Sequence, residues 1–371
     1  MDAEIVVVGA GLVGSATTRH LAERGIGVIC IAAPEEGPPF SSHDDDTRIT
    51  RILHESVVWA ELARRSIDAY QDLQERSGST FHHPVGLVWV ASEQSGLAAF
   101  DPVRDEFAVS VEDAPSPWAG DLVLPSTDVE LFERGGAGYI EPRRMRSAQM
   151  SIAGSAGARV VHGVAVGFDR SGGGWSVRLA DGDTVTGERV VVAAGAAVGF
   201  ATGVDVWPTA QAVLLVEVPA SLGRLWSGRP CVGRLRGDTV DFYFTPPQEL
   251  GGRWVMKVGS EIEEEIVLAS PEAVSAWMSG EMAAPHGQLL EETVRRVFPQ
   301  LDVVSTAVRR CMYARTPDRR PLVRELEAGF VVVGGGNGRA AKSSDALGGL
   351  AADFVVSGEW TDPLPSDEFG G

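Results

Sequence analysis

A chain of 371 residues, 44% hydrophobic and 22% charged, has enough apolar side chain for roughly two domain-sized cores, and a formal net charge of -19 argues against a nucleic-acid or anionic-membrane partner. No apolar run approaches the roughly 18 residues of a membrane-spanning helix, and no basic segment precedes the first strand, so a cytoplasmic protein without a signal peptide is expected. The cysteines Cys30, Cys231 and Cys311 are too widely spaced for a metal site or a disulfide framework, and no metal is expected.

The chain opens on Glu4-Ile-Val-Val-Val, then Gly9-x-Gly11-x-x-Gly14, an apolar helical pattern and a second apolar run, Val28-Ile-Cys-Ile31. This order is that of a βαβ dinucleotide site, in which Gly9 permits the tight turn, Gly11 the approach of a pyrophosphate and Gly14 close helix packing. The phosphates would meet the free N–H groups of the helix beginning near Leu12. The acid that usually binds the ribose at the end of the second strand is replaced by Ala32-Ala33. Glu35 or Glu36 is the nearest substitute, and with no basic residue there NADP is not favoured.

A Pro/Gly/Glu loop follows, then Asp44-Asp-Asp-Thr-Arg48-Ile-Thr-Arg51, which reads as a loop entering a helix. Alternatively it is a solvated acidic loop with local ion pairs. Residues 57–74 form an amphipathic helical pattern and 80–91 a β-like one, with irregular sequence up to Glu141. A helix is expected from Pro142, a strand at 158–161, and a three-run meander over 164–192 ending in a small-residue turn. Residues 210–218 and 239–258 are strand-like, with Pro246-Pro247 and Gly251-Gly252 as breaks. Helices are expected at 271–278 and 288–298, a strand at 307–313, a strand into glycines at 330–338, a small-residue helix at 347–356, and an exposed tail over the last dozen residues. Nucleotide-binding signals at both ends and in the middle imply one domain built from three segments, with a second domain inserted between them.

Four stretches in this order resemble the flavin-dependent amine oxidases typified by monomeric sarcosine oxidase and N-methyltryptophan oxidase: the glycine motif, Asp46-Thr-Arg48-Ile-x-Arg51, Cys311-Met-Tyr-x-x-Thr316-x-Asp318, and Lys342-Ser-Ser. The resemblance implies an α/β fold: an FAD-binding Rossmann-like domain made of residues 1–85, 143–209 and 306–371, and an inserted, mainly antiparallel β-sheet substrate domain made of 86–142 and 210–305. It implies FAD bound covalently through Cys311, with Gly9, Gly11, Gly14, Ser42, Thr47, Arg48, Met312, Gly338 and Lys342 also holding the cofactor. Arg48 would lie by the flavin ring, Arg51 and Lys342 would hold a substrate carboxylate, and Lys257 would promote reaction with O2. Phe242, Tyr243 and Phe244 stand where the family has aromatics around the substrate, and equally suit a core strand.

The sequence departs from the family at Glu261 and Asp44, where histidines are usual, and in the glycine loop before Lys342. Glu261 either belongs to an exposed acidic run with Glu263 to Glu265 or meets a cationic or hydrogen-bond-donating group of the substrate that sarcosine lacks. The expected activity is oxidation of a secondary amine or an amino or imino acid by hydride transfer to FAD, with O2 giving H2O2. The alternatives are a dehydrogenase or aromatising oxidase of a cyclic imino acid in secondary metabolism, and a degenerate member that binds a ligand without turnover. A monomer acting on a small molecule is expected.

Overall fold

The computed structural model describes residues 1–34, 44–92, 94–112, 117–118, 120–236, 239–261 and 265–370. Glu35, Glu36 and Ser42, named above as ribose and cofactor contacts, lie outside the described residues.

Continuous β-branched runs form the parallel part of the first sheet, its inner strands Val28–Ala32 and Phe330–Gly334 buried on both faces and its edge strand Arg159–His162 largely exposed. Its order is Arg159–His162, Val28–Ala32, Ala3–Val8, Thr184–Val192 and Phe330–Gly334, all parallel. The strands Ala165–Ser171 and Gly174–Leu179 complete the expected antiparallel meander with the first half of Thr184–Val192. Helix Leu12–Glu23 packs between Pro142–Ser155 and Ala340–Ser357. A Cβ on Gly348 would come within 2.6 Å of Ala16 Cβ, so a bare residue there lets the first and last helices touch. The three helices are also tied through the buried Asp345 carboxylate, which accepts from Arg19 and from Gln149, each at 2.8 Å.

The second sheet is mainly antiparallel, in the order Ser305–Arg315, Trp207–Val218, Arg253–Gly259, Thr239–Leu250, Cys231–Arg236, Leu87–Ala91, Val129–Glu133 and Val111–Glu112. One of its faces is apolar: Leu214, Val216, Phe242, Phe244, Met256 and Val258 pack there against Leu290, Val294 and Val297 of helix His286–Val297. The strand Thr239–Leu250 runs through Pro246-Pro247 with a register shift between Thr245 and Gln248, so the prolines bend the strand where the sequence suggested they end it.

Two further expectations are corrected. Arg48–Thr50 is a short strand paired with Gly138–Ile140. Three residues carry too little local preference to predict that, since the pairing partner lies far along the chain. The C-terminal stretch is docked: Phe369 is fully buried, the Trp360 ring lies tilted against it with centroids 4.7 Å apart, and Asp362 meets Arg65 at 2.7 Å.

The opening turn is equally tight. Gly9 has φ +106°, and a Cβ on Gly14 would lie 1.8 Å from the Gly9 carbonyl oxygen. Gly14→Ala is therefore expected to cost about 2 kcal/mol or more, read as a lower urea midpoint at unchanged slope.

Candidate active site

Side chains alternate across a strand, so burying Phe242, Phe244, Met256 and Val258 turns Tyr243, Thr245, Lys257 and Gly259 to the other face of the second sheet. Residues directly opposite in antiparallel strands share a face. The pairs Thr245 with Lys257, Tyr243 with Gly259, Gln211 with Cys311 and Thr209 with Tyr313 therefore gather the polar and titratable residues on that face. A Cβ on Gly259 would sit 2.4 Å from Tyr243 Cζ, so the glycine lets the ring lie over its backbone. Behind Cys311, Trp277 Nε1 donates to its carbonyl at 2.8 Å and fixes the strand there.

The loop before Arg48 closes onto this face. Thr47 Oγ1 lies 3.1 Å from Thr245 Oγ1, and Lys257 Nζ donates to the Thr47 carbonyl and to Asp45 Oδ2, the latter at 2.7 Å. Asp45 also takes the Arg48 guanidinium, and Arg309 at 3.3 Å. Lys257 and Asp45 are 3% and 2% exposed, which makes this a desolvated ion cluster. Burial, then the Arg48 and Arg309 guanidiniums, push Lys257 toward the neutral amine, while the Asp45 carboxylate in contact with it pulls the other way. Burial raises the Cys311 thiol, while Arg48, Lys257 and Arg309 pull it back toward the thiolate.

A second cationic cluster lies nearby. Arg51 sits 4.6 Å over the Trp89 ring and donates to the Leu53 carbonyl. Glu133, fully buried, holds that turn by accepting from the backbone N–H groups of Ile52 at 2.6 Å and Leu53 at 3.1 Å and from Trp89 Nε1 at 3.3 Å. Lys342 is 5% exposed, and its Nζ donates to the Arg339 carbonyl at 3.3 Å. Burial pushes its ammonium well below the usual lysine range, helped by the Arg51 and Arg339 guanidiniums. Arg339 in turn pairs with Glu55. A buried ammonium beside guanidiniums that depress it calls for an anion next to it.

Glu261 lies within electrostatic range of both groups: its charge acts on Arg51 and on Tyr243. Its backbone N–H donates to the Val240 carbonyl at 3.0 Å, and Arg315 lies 3.9 Å from its carboxylate. Asp44, which stands at the family's histidine position, accepts from Arg143 at 2.5 Å. The glycine loop 334–338 is stapled to the Cys311 strand by Asn337, at φ +48°, whose Nδ2 donates to Thr316 Oγ1 at 3.0 Å and whose Oδ1 accepts from Thr316 N at 3.1 Å. Gly338 lies under Tyr313, whose Cζ would be 2.9 Å from an added Cβ.

Two expected contacts turn away. Phe242 is fully buried in the apolar core on the far face, stacked with Phe244, so neither ring shares a pocket with Tyr243. Met312 is 1% exposed and packs with Ala210, Ala212 and Trp277, opposite to Cys311. Both follow from strand parity, which a run apolar at every position does not disclose. Sequence reasoning missed Asp45 and Glu133 as structural members of the site. It also passed over one strong signal: Lys257 and Lys342 are the only lysines in the chain, and both are buried.

The buried side-chain atoms without a hydrogen-bond partner among the described residues include Gln211 Nε2, opposite Cys311, and Ser343 Oγ, next to Lys342 in sequence. At the other end, helix Leu12–Glu23 begins at Gly11 with no side-chain cap. Its first N–H groups are thus left for a ligand.

A family model described as FAD dependent oxidoreductase matches residues 4–354. Among curated proteins, the tRNA 5-methylaminomethyl-2-thiouridine biosynthesis bifunctional protein MnmC of Marinobacter nauticus is 28% identical over 236 residues, covering 60% of this chain and 35% of its own length. Its counterpart in Burkholderia pseudomallei is 30% identical over 206 residues, covering 52% and 31%. The chain spans about a third of the length of these relatives. Among solved structures, NikD, an unusual amino acid oxidase essential for nikkomycin biosynthesis, aligns with TM-score 0.76 at 20% identity over 99% of this chain and 96% of its own. The iminodiacetate oxidase of Chelativorans sp. BNC1 aligns with TM-score 0.74 at 18% identity, covering 98% of each. The L-proline dehydrogenase of P. horikoshii gives 0.76 at 18%, covering 99% and 96%. These structures share the fold.

Proposed function

The chain belongs to the FAD dependent oxidoreductase family, and from that premise we propose that it is a sarcosine-oxidase-like oxidase of a small, carboxylate-bearing secondary amine or amino or imino acid. The residues fit the cofactor. Gly9 and Gly14 make a turn too tight for any side chain, the uncapped helix at Gly11 offers N–H donors to the pyrophosphate, and the orphaned Gln211 and Ser343 offer polar atoms to a heteroaromatic ring. Bound FAD would supply the redox chemistry, accepting a hydride from the carbon attached to nitrogen and passing the electrons to O2, which leaves as H2O2.

The observation that carries this reading is the juxtaposition of Arg51 and Lys342. Arg51 presents a planar fork braced on Trp89, and Lys342 a point charge, which together suit a carboxylate. Glu261, whose charge acts on both Tyr243 and Arg51, would with Tyr243 meet the amine end of the substrate. Lys257 would assist O2, since a fixed ammonium stabilises negative charge developing on it. Arg48 would stabilise negative charge on the reduced cofactor in the same way. A small substrate is preferred over the tRNA named for the curated relatives, because a formal charge of -19 repels a polyanion.

Cys311 is assigned as the covalent attachment point. The cations Arg48, Lys257 and Arg309 favour the thiolate that the bond requires. By contrast Cys30 and Cys231 are fully buried, the former with its thiol raised to about 11. In acid-precipitated protein the flavin absorbance should stay with the pellet, and Cys311→Ala should release it to the supernatant. Flavin that remains in the Cys311→Ala pellet would move the attachment elsewhere.

A further inference from the structure

Asp45 is a group to which the proposed reaction gives no role, yet it has the most demanding surroundings in the site. Its carboxylate is 2% exposed and is shared by Lys257 Nζ at 2.7 Å, Arg309 Nη1 at 3.3 Å and the Arg48 guanidinium. The charged and titratable groups facing Lys257 come from three elements. The loop and strand around Arg48 bring Asp45, Asp46 and Arg48, strand Ser305–Arg315 brings Arg309 and Cys311, and strand Cys231–Arg236 brings Cys231. Asp46 is already taken by Arg309 and by Arg143, the latter at 2.8 Å. Among the described residues, Asp45 is thus the carboxylate in contact with Lys257.

Guanidiniums keep their protons whatever their surroundings, whereas a buried ammonium sheds one readily. Of the three cations on Asp45, Lys257 is therefore the one whose charge depends on the carboxylate. Two N–H groups already meet its two acceptors, Asp45 Oδ2 and the Thr47 carbonyl. Charge, not the hydrogen-bond tally, decides whether the third proton stays.

We propose that Asp45 is a positioning residue that keeps Lys257 an ammonium ion, and so sets the pH range in which Lys257 assists O2. The second half rests on the oxidase reading; the first does not. Without the carboxylate, Arg48 and Arg309 remain as two like charges beside a buried lysine, and the neutral amine wins.

Because the chain has only two lysines, lysine labelled with 13C at Cε gives two side-chain signals in the holoprotein, and Lys342→Met assigns them. In the wild type the Lys257 signal is expected to hold its ammonium position from about pH 6 to about pH 9. In Asp45→Asn it is expected to titrate inside that window, and in Asp45→Glu to be restored. A wild-type signal that titrates there overturns the proposal even if no variant folds, and so does an Asp45→Asn signal that stays an ammonium throughout. In stopped-flow reoxidation, Asp45→Asn is expected to lose roughly tenfold or more in rate at the top of the window and to recover it at the bottom, while the wild type stays level. A loss that does not recover at low pH marks a merely structural role and overturns the proposal. If Lys257→Met reoxidises as fast as the wild type, the oxidase role of Lys257 falls, and the resonance titration still decides the role of Asp45.

Discussion

Lys257→Met is expected to slow reoxidation of the reduced flavin by O2 on the order of a hundredfold or more, while anaerobic reduction by substrate changes only a few-fold. The asymmetry follows from where the charge is needed. Methionine fills the same buried space between Leu215 and Thr245 in the strand register, so packing is kept and the ammonium alone is lost. Asp45 then keeps Arg48 and Arg309 as partners, so the substitution strands no carboxylate. Equal losses in both half-reactions, measured by stopped-flow absorbance, would show that Lys257 acts on the substrate or on the fold instead.

Arg51→Gln is expected to lower kcat/KM for a carboxylate-bearing amine by about two to three powers of ten, with most of the loss in KM if the arginine binds ground and transition states alike. Arg51→Lys should restore little. The guanidinium lies over Trp89 and donates to the Leu53 carbonyl, and an ammonium reproduces neither the stacking nor the two-pronged donor. Glu133 adds a check on the same geometry. Its carboxylate holds the backbone of Ile52 and Leu53, so its removal should weaken substrate binding without any contact to the substrate. Initial-rate kinetics with one N-alkyl amino acid and its decarboxylated counterpart separate these effects.

Much of the framework was legible because its signals are local. The first strand, the glycine turn and the helix after it follow from a β-branched run, Gly9, Gly14 and a helical apolar period within about twenty-five residues. The short strand Arg48–Thr50 was not legible, since its stability comes from Gly138–Ile140 far along the chain. The docked tail was also missed. Trp360 and Phe369 are single aromatics in a polar stretch, and they earn burial only from the surface they meet.

At the site, the cations were found and their surroundings were not. Arg48, Arg51, Lys257 and Lys342 stand in recognisable runs. Asp45 reads in sequence as one of three solvated acids, and only the closing of its loop onto Lys257 desolvates it. Phe242 and Met312 show the matching limit on strands. In Phe242-Tyr-Phe and Cys311-Met-Tyr apolar side chains flank both faces, so the face that meets the ligand is fixed by the helices packed behind the sheet. The lysine census needed no structure: against thirty arginines the chain has two lysines, and both are buried.

The most direct test mixes oxidised holoenzyme anaerobically with matched pairs of amines, one member carrying a carboxylate and the other lacking it, and follows loss of the flavin absorbance. Bleaching by N-alkyl or cyclic amino acids, with the decarboxylated partners slower by about two powers of ten or more, is the expected result. Equal bleaching by both members of each pair would contradict carboxylate capture by Arg51 and Lys342, and no bleaching by any amine would contradict the assigned reaction.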